Sequence, residues 1–170
     1  LAYDSPRFSE DQDFSLLRDS LQGKFSNFVG KIIAPFPELS LTDLEENYYT
    51  YLGEIKVTES YLPFPFRIKI EISKRKIRGY KWNLKLLNSP VTTVQALAQV
   101  GTLEQIYQDK LSCLKGRAKA KDLFGLWYIA QKLKLPYSPG KVDFRKGDLV
   151  RELRKYLPKN LWPAIEGLIP

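Results

Sequence analysis

The stretch Arg67-Ile68-Lys69-Ile70-Glu71-Ile72-Ser73 leaves the chain little freedom. Side chains in an extended segment alternate between faces, so Ile68, Ile70 and Ile72 line one side while Arg67, Lys69, Glu71 and Ser73 line the other. That is a half-exposed strand with one face on a core. Tyr48 to Ser60 is also β-rich, with Gly53 expected at a bend or bulge, and Pro63 and Pro65 bracket the connection between the two.

Elsewhere the period changes to that of helices. Leu17, Leu21, Phe25, Phe28 and Ile32 predict an amphipathic helix over 17–33, ended by Pro35 and Pro37. Asp43 to Asn47 reads as a polar turn or short helix, and Pro90 to Gly101 as a link. Thr102 and Gln105 fit a capping box that opens a helix with Leu103, Ile106, Tyr107, Leu111 and Leu114 on its apolar side. Gly116 suits a C-cap in the basic turn Lys115-Gly116-Arg117. A second helix follows to Leu133, with Leu123, Leu126, Trp127, Ala130 and Leu133 facing a core. After a loop over 136–147, Asp148 is expected to cap a last helix from Leu149 to Leu157. These elements predict an α+β fold, with a mixed α/β part over 1–90 and a helical part over 91–170.

Composition narrows the chemistry. The 170 residues are 44% hydrophobic and 13% aromatic, enough for a sizeable core in one domain or two small ones. No apolar run is long enough to span a membrane, and no secretory signal is evident. The lone Cys113 excludes an internal disulfide and suits a reducing cytoplasm. The absence of histidine removes His-based triads and imidazole metal sites. Methionine is absent too, so the chain is expected to be the remainder of something longer. Residues 1–60 carry 11 acidic and 5 basic side chains, whereas 61–170 carry 22 basic and 8 acidic ones. An acidic half joined to a strongly basic half suits a metal site facing a polyanion-binding surface.

The acidic half holds the first candidate site, Arg7-Phe8-Ser9-Glu10-Asp11-Gln12-Asp13-Phe14. If it is extended, Asp11 and Asp13 share a face and repel each other unless a cation such as Mg²⁺ lies between them. The plain alternative is an acidic loop. Glu71 could add a third carboxylate from a neighbouring strand, and three carboxylates from two strands could hold one or two Mg²⁺ ions for phosphoryl transfer. In the basic half, Tyr80 and Trp82 stand among lysines and arginines over 74–90, a pattern that fits RNA as well as a solvated strand. Lys110 falls on the apolar stripe of its helix, and a helical hairpin could bring Asp122 to it as an ion-pair staple or a catalytic pair.

Three segments together resemble the AbiEii/AbiGii toxin family, nucleotidyltransferases of the DNA polymerase β superfamily. RFSEDQDF is similar to the family's R-x-S-x-D-x-D motif. TLEQIYQDKLSCLKGRAKAKDLFGLWYI is similar to its second, helical signature, and RIKIEIS to the strand bearing a third carboxylate. The resemblance implies a nucleotidyltransferase-like mixed sheet with flanking helices, followed by a C-terminal helical bundle. It implies transfer of a nucleoside monophosphate from an NTP to an RNA acceptor such as tRNA, in a toxin–antitoxin or phage-defence setting with a cognate antitoxin. Asp11, Asp13 and Glu71 would bind Mg²⁺ or Mn²⁺. Arg7 and Ser9 would lie at the nucleotide phosphates, Lys110 would contact the triphosphate, and Asp122 would act as base or positioner.

The departures from the family pattern are specific. The glycine-rich motif expected before RFSEDQDF is not in the chain, consistent with an N-terminally truncated member. Lys121 stands where Arg is usual, in the nucleotide-binding set, and loses the bidentate fork. Gly125 replaces a second Asp, and Glu71 a commoner Asp. The competing expectation is a catalytically inactive remnant that binds RNA or an antitoxin.

Overall fold

The alternating isoleucines form strand β4 (Phe66–Ser73). The computed structural model describes residues 2–9, 11–17, 20–75, 79–89, 92–116, 119–140 and 144–168. Glu10, Lys76, Arg78, Pro90, Arg117 and part of the 136–147 loop, all used in the readings above, lie outside the described residues. The chain packs as two compact units, Ser9–Arg78 in one and Leu1–Phe8 with Gly79–Pro170 in the other. Residues 79–89, at the end of the predicted α/β part, thus pack with the helices.

In the first unit β4 lies between β1 (Asp11–Ser15), which runs parallel to it, and β3 (Thr50–Val57), which runs antiparallel. Strand β2 (Leu39–Glu46) pairs with β3 and completes the order β1-β4-β3-β2. The register places Ile68, Ile70 and Ile72 of β4 beside Ile55, Gly53 and Tyr51 of β3, so one face of the sheet is continuously apolar. Helix α1 (Phe25–Ile33) covers that face with Phe25 and Val29, both fully buried. Burial of one such side chain contributes roughly 1.5–3 kcal/mol.

Several expectations change here. The helix starts at Phe25, not Leu17, because Gly23 adopts a left-handed backbone (φ +64) that a continuing helix cannot contain. Its core stripe is Phe25–Val29 with Ile33, while Phe28 and Ile32 are exposed. Asp43 to Glu46 is strand, not a turn or helix. Strand β2 is an edge, where carboxylates deter pairing with other chains. The register irregularity falls between Leu41 and Asp43, not at Gly53. Gly53 stays in register, and a Cβ there would meet the Phe25 ring at 3.6 Å.

The second unit contains a β5 (Trp82–Ser89) and β6 (Thr92–Gly101) ribbon, α2 (Leu103–Gly116), α3 (Ala120–Leu133), α4 (Lys146–Arg154) and a 3₁₀ helix (Lys159–Leu168). The expected link over 90–101 is therefore largely strand β6, antiparallel to β5. One face of the ribbon, with Trp82, Leu84, Leu86 and Leu97, is exposed, so burial gave the sequence little signal there. Helix α3 is the centre of the unit, packed against α2, α4 and the 3₁₀ helix. Phe124, absent from the predicted core face, is fully buried because α3 is covered on more than one side. Helix α4 begins at Lys146. Its Asp148 lies inside the first turn and accepts from Arg151 at 2.8 Å instead of capping. Thr102 does cap α2, accepting from the Gln105 amide at 3.2 Å. Among the described residues no helix is long and apolar enough to cross a membrane.

Candidate active site

On the sheet, one face is apolar and the opposite face carries the charges. Gln12 and Phe14 of β1 pair with Ile70 and Ile72, so Asp11, Asp13 and Ser15 project to the side away from α1. Asp13 is the register partner of Glu71, and Asp11 that of Lys69. Neighbouring strands are roughly 4.8 Å apart, so the Asp13 and Glu71 carboxylates start from adjacent backbone positions on one surface. The Lys69 ammonium lies 3.7 Å from Glu71, with both side chains about half exposed. Lys69 shares the strand face of Glu71, as the alternation predicts, and the ion pair between them is what the structure adds. Ser9 Oγ donates to the backbone oxygen of Asp11 at 3.2 Å, which braces the entry to β1.

The three carboxylates supply hard oxygen donors of the kind Mg²⁺ or Mn²⁺ takes. Among the described residues, no three acidic or thiol side chains already converge as a finished cage. Carboxylate oxygens on one face of the sheet are donors of the type a divalent ion takes. To hold such an ion the exposed Asp13 and the half-buried Asp11 and Glu71 would have to close on it, with Lys69 displaced from Glu71.

The helical unit holds a second charged constellation. Lys110 Nζ donates to Asp122 Oδ1 at 2.6 Å, and Asp122 is the buried charged residue of the described chain, its side chain 7% exposed. Lys110 reaches it from α2 by running along α3. Lys110, Lys121 and Arg7 line one cleft of about 210 Å³ with Gly125, Tyr128 and Ile129. Arg7 belongs here through its own segment. The Phe8 amide donates to Tyr156 O at 2.9 Å, and the Tyr128 hydroxyl donates to the carbonyls of Tyr3 (3.0 Å) and Asp4 (2.7 Å). The predicted residues thus fall into two sets: Ser9, Asp11, Asp13 and Glu71 on the sheet, and Arg7, Lys110, Lys121 and Asp122 in the helical unit. The chain passes from one unit to the other between Phe8 and Ser9.

Of the aromatic residues in the basic stretch, Tyr80 is committed inward. Its hydroxyl donates to Asp109 at 3.2 Å, and burial, with the Asp109 charge second, pushes the phenol up to about 12. Gly101 is required beside it, since a Cβ there would lie 2.6 Å from the Tyr80 oxygen.

The family model "Nucleotidyl transferase AbiEii toxin, Type IV TA system" matches residues 1–159. The chain belongs to this family. No curated protein sequence matches this AbiEii chain. Its fold is similar to the crystal structure of JHP933 from Helicobacter pylori, with TM-score 0.55 and 22% identity over 91% of this chain and 60% of that one. A second H. pylori crystal structure, which carries a nucleotidyltransferase assignment, gives TM-score 0.53 and 23% identity over 90% and 61%. The chain therefore spans about 60% of the length of the solved structures it matches. The mixed α+β fold with a sheet and flanking helices is the one expected.

For an AbiEii member, Gly125 has a local explanation beyond a lost carboxylate. A Cβ at 125 would lie 3.3 Å from Lys110 Cε and 3.6 Å from Cδ. The bare backbone of α3 is the shelf along which the Lys110 stem reaches Asp122.

Proposed function

We propose that this chain is the nucleotidyl-transfer core of a toxin from a toxin–antitoxin pair, acting in the cytoplasm on an NTP and an RNA acceptor such as tRNA. The observation that carries the reading is the register that sets Asp13 beside Glu71, with Asp11 on the same face of the sheet. Asp11, Asp13 and Glu71 would hold Mg²⁺ or Mn²⁺. Such an ion, when bound, supplies charge neutralisation at the phosphates and polarises the phosphorus under attack. Lys110, Lys121 and Arg7 would bind the triphosphate, with Ser9 at its edge. Asp122 would hold the Lys110 ammonium in place, or take the proton of the attacking hydroxyl. The acceptor hydroxyl attacks the α-phosphorus in line, and pyrophosphate leaves with the electron pair of the broken P–O bond. A cognate antitoxin would restrain this activity, and phage defence is the setting such a pair would serve.

The second reading, an inactive binding module for RNA or an antitoxin, is favoured by Lys69. Its ammonium offsets Glu71 without any metal. Incubation with α-labelled NTPs, Mg²⁺ and tRNA separates the two. Transfer of label that falls at least about a hundredfold in Asp13→Ala supports the enzyme reading, since even groups that only orient a metal's ligands cost about 10–100-fold. Undiminished transfer by Asp13→Ala removes the metal assignment, and no transfer by the unmodified protein favours the binding module.

A further inference from the structure

The turn joining β2 to β3 is built of two tyrosines. The Asn47 amide donates to Thr50 O at 2.8 Å, so Tyr48 and Tyr49 form the two-residue tip. Such tips favour glycine, asparagine or aspartate, because paired strands twist best through positive-φ turns. Neither tyrosine has positive φ. Neither is needed by the core: Tyr48 is 85% exposed and Tyr49 54%. Their rings meet edge to face at 4.6 Å, which holds two aromatic surfaces in fixed orientation in water.

Cations are built onto the same corner. The β3–β4 ladder continues one step beyond the strands, with the Lys74 amide donating to Tyr49 O at 2.8 Å. Lys74 Nζ donates to Asn47 O at 2.7 Å and lies 3.8 Å over the Tyr51 ring, fixing a positive charge under the turn. The Arg75 guanidinium lies 5.1 Å over the Tyr49 ring. In sequence, Lys74 and Arg75 open the run Lys-Arg-Lys-Ile-Arg. The neighbouring carboxylates are engaged, Glu45 accepting from Asn47 Nδ2 at 2.9 Å and Glu46 from the Gly23 amide at 3.4 Å.

We infer that the Tyr48–Tyr49 tip with Lys74 and Arg75 is a docking surface for unpaired RNA, one base stacking on the exposed Tyr48 ring and a backbone phosphate meeting Arg75. Stacking rings beside cations are the two ingredients of single-strand binding; Lys74 also braces the turn, whereas the exposed Tyr48 ring has no part in the core. Arg75 follows Glu71 by four residues on the same strand path, on the order of 13 Å of extended chain. An RNA end held at the corner is within a few nucleotides of the carboxylate face. The choice of RNA over other polyanions rests on the acceptor reading above; the surface itself does not depend on catalysis.

Fluorescence anisotropy with a labelled single-stranded RNA and a blunt RNA duplex, each over a salt series, tests the inference. Tyr48→Ala is expected to weaken single-strand binding about tenfold with its salt dependence unchanged, and Tyr48→Trp to restore it. Arg75→Ala is expected to reduce the slope of log affinity against log salt by about 1. Wild-type single-strand affinity from Tyr48→Ala, or equal loss on the duplex, overturns the assignment. So does binding of an acidic peptide, but not RNA, at this corner. Unchanged melting temperatures for these variants keep folding out of the comparison. Binding that behaves as expected without nucleotide transfer sinks only the enzyme reading, and transfer without any effect of Tyr48→Ala sinks only this one.

Discussion

On the sheet, Lys69 and Glu71 face each other across 3.7 Å with about half of each side chain in water. Between α2 and α3, Lys110 and Asp122 are 2.6 Å apart and the carboxylate is almost fully enclosed. Both are lysine–carboxylate pairs, yet they differ in what fixes them. The exposed pair is placed by strand register, and water screens it, so either partner can turn to another ligand at little cost. The enclosed pair has been taken out of water, so separating its members leaves a charge without solvent. A binding face that must accept and release an ion suits the first arrangement, and a group that must stay in one place suits the second.

The largest effect expected from this contrast is at Asp122. Asp122→Ala should destabilise the protein by about 3 kcal/mol, the low end for a broken buried pair because Lys110 keeps some access to water. Urea unfolding measures it, and a loss below about 1 kcal/mol would mean that the pair behaves like a surface one. Gly125→Ala should stay within about 1 kcal/mol of the parent, since the gain in helix propensity is offset by pressure on the Lys110 stem. Its NTP affinity, read by calorimetry, should fall nonetheless; unchanged affinity would remove the shelf role.

Alkaline titration gives an intermediate test. A phenol raised in the folded state favours the protonated form there, so its contribution is complete below the ordinary value of 10 and is lost as pH rises through the folded value of about 12. Stability should therefore fall between these limits, and Tyr80→Phe should flatten that fall. A melting temperature equally pH-dependent in the variant would assign the effect elsewhere, Tyr137 being also pushed up to about 12 by burial. The smallest effect is at Glu71. Glu71→Gln should shift stability by less than about 0.5 kcal/mol, as exposed pairs do, while reducing Mg²⁺ affinity in a metal titration.

What could be read from the sequence follows the same division between strong and weak local signals. Strand β4 was legible because three isoleucines alternate with charges, and the helix pair α2–α3 because its apolar spacing is regular and Gly116 falls at the end of α2. Strand β2 was not, since an edge strand carrying Asp43, Glu45 and Glu46 looks like a polar turn until its partner is known. Strand β6 was missed because most of its side chains face water. Of the candidate site residues, Asp11, Asp13, Glu71, Lys110 and Asp122 could be picked out by their chemistry, and Arg7, Ser9 and Lys121 by the family resemblance. Which of them are neighbours came from pairing, because a shift of one residue between β1 and β4 would turn Asp11 and Asp13 to the apolar face. Arg7 shows the remaining limit. Two residues before Ser9 in sequence, it packs with the helical unit because its neighbours are held there, Asp4 by the Tyr128 hydroxyl and Phe8 by the Tyr156 carbonyl, more than a hundred positions away.

The close approach of Tyr80 to Gly101 has an evolutionary corollary. A methyl group at 101 would lie 2.6 Å from the Tyr80 hydroxyl oxygen, so a larger residue at 101 requires the Tyr80 ring to move or shorten. Among relatives that keep this ribbon, a residue larger than glycine at 101 should co-occur with a shorter one at 80, and Asp109 should then lose its reason to stay acidic. The three positions form a single heritable unit, spread over 30 residues of chain yet invisible to inspection of any one of them.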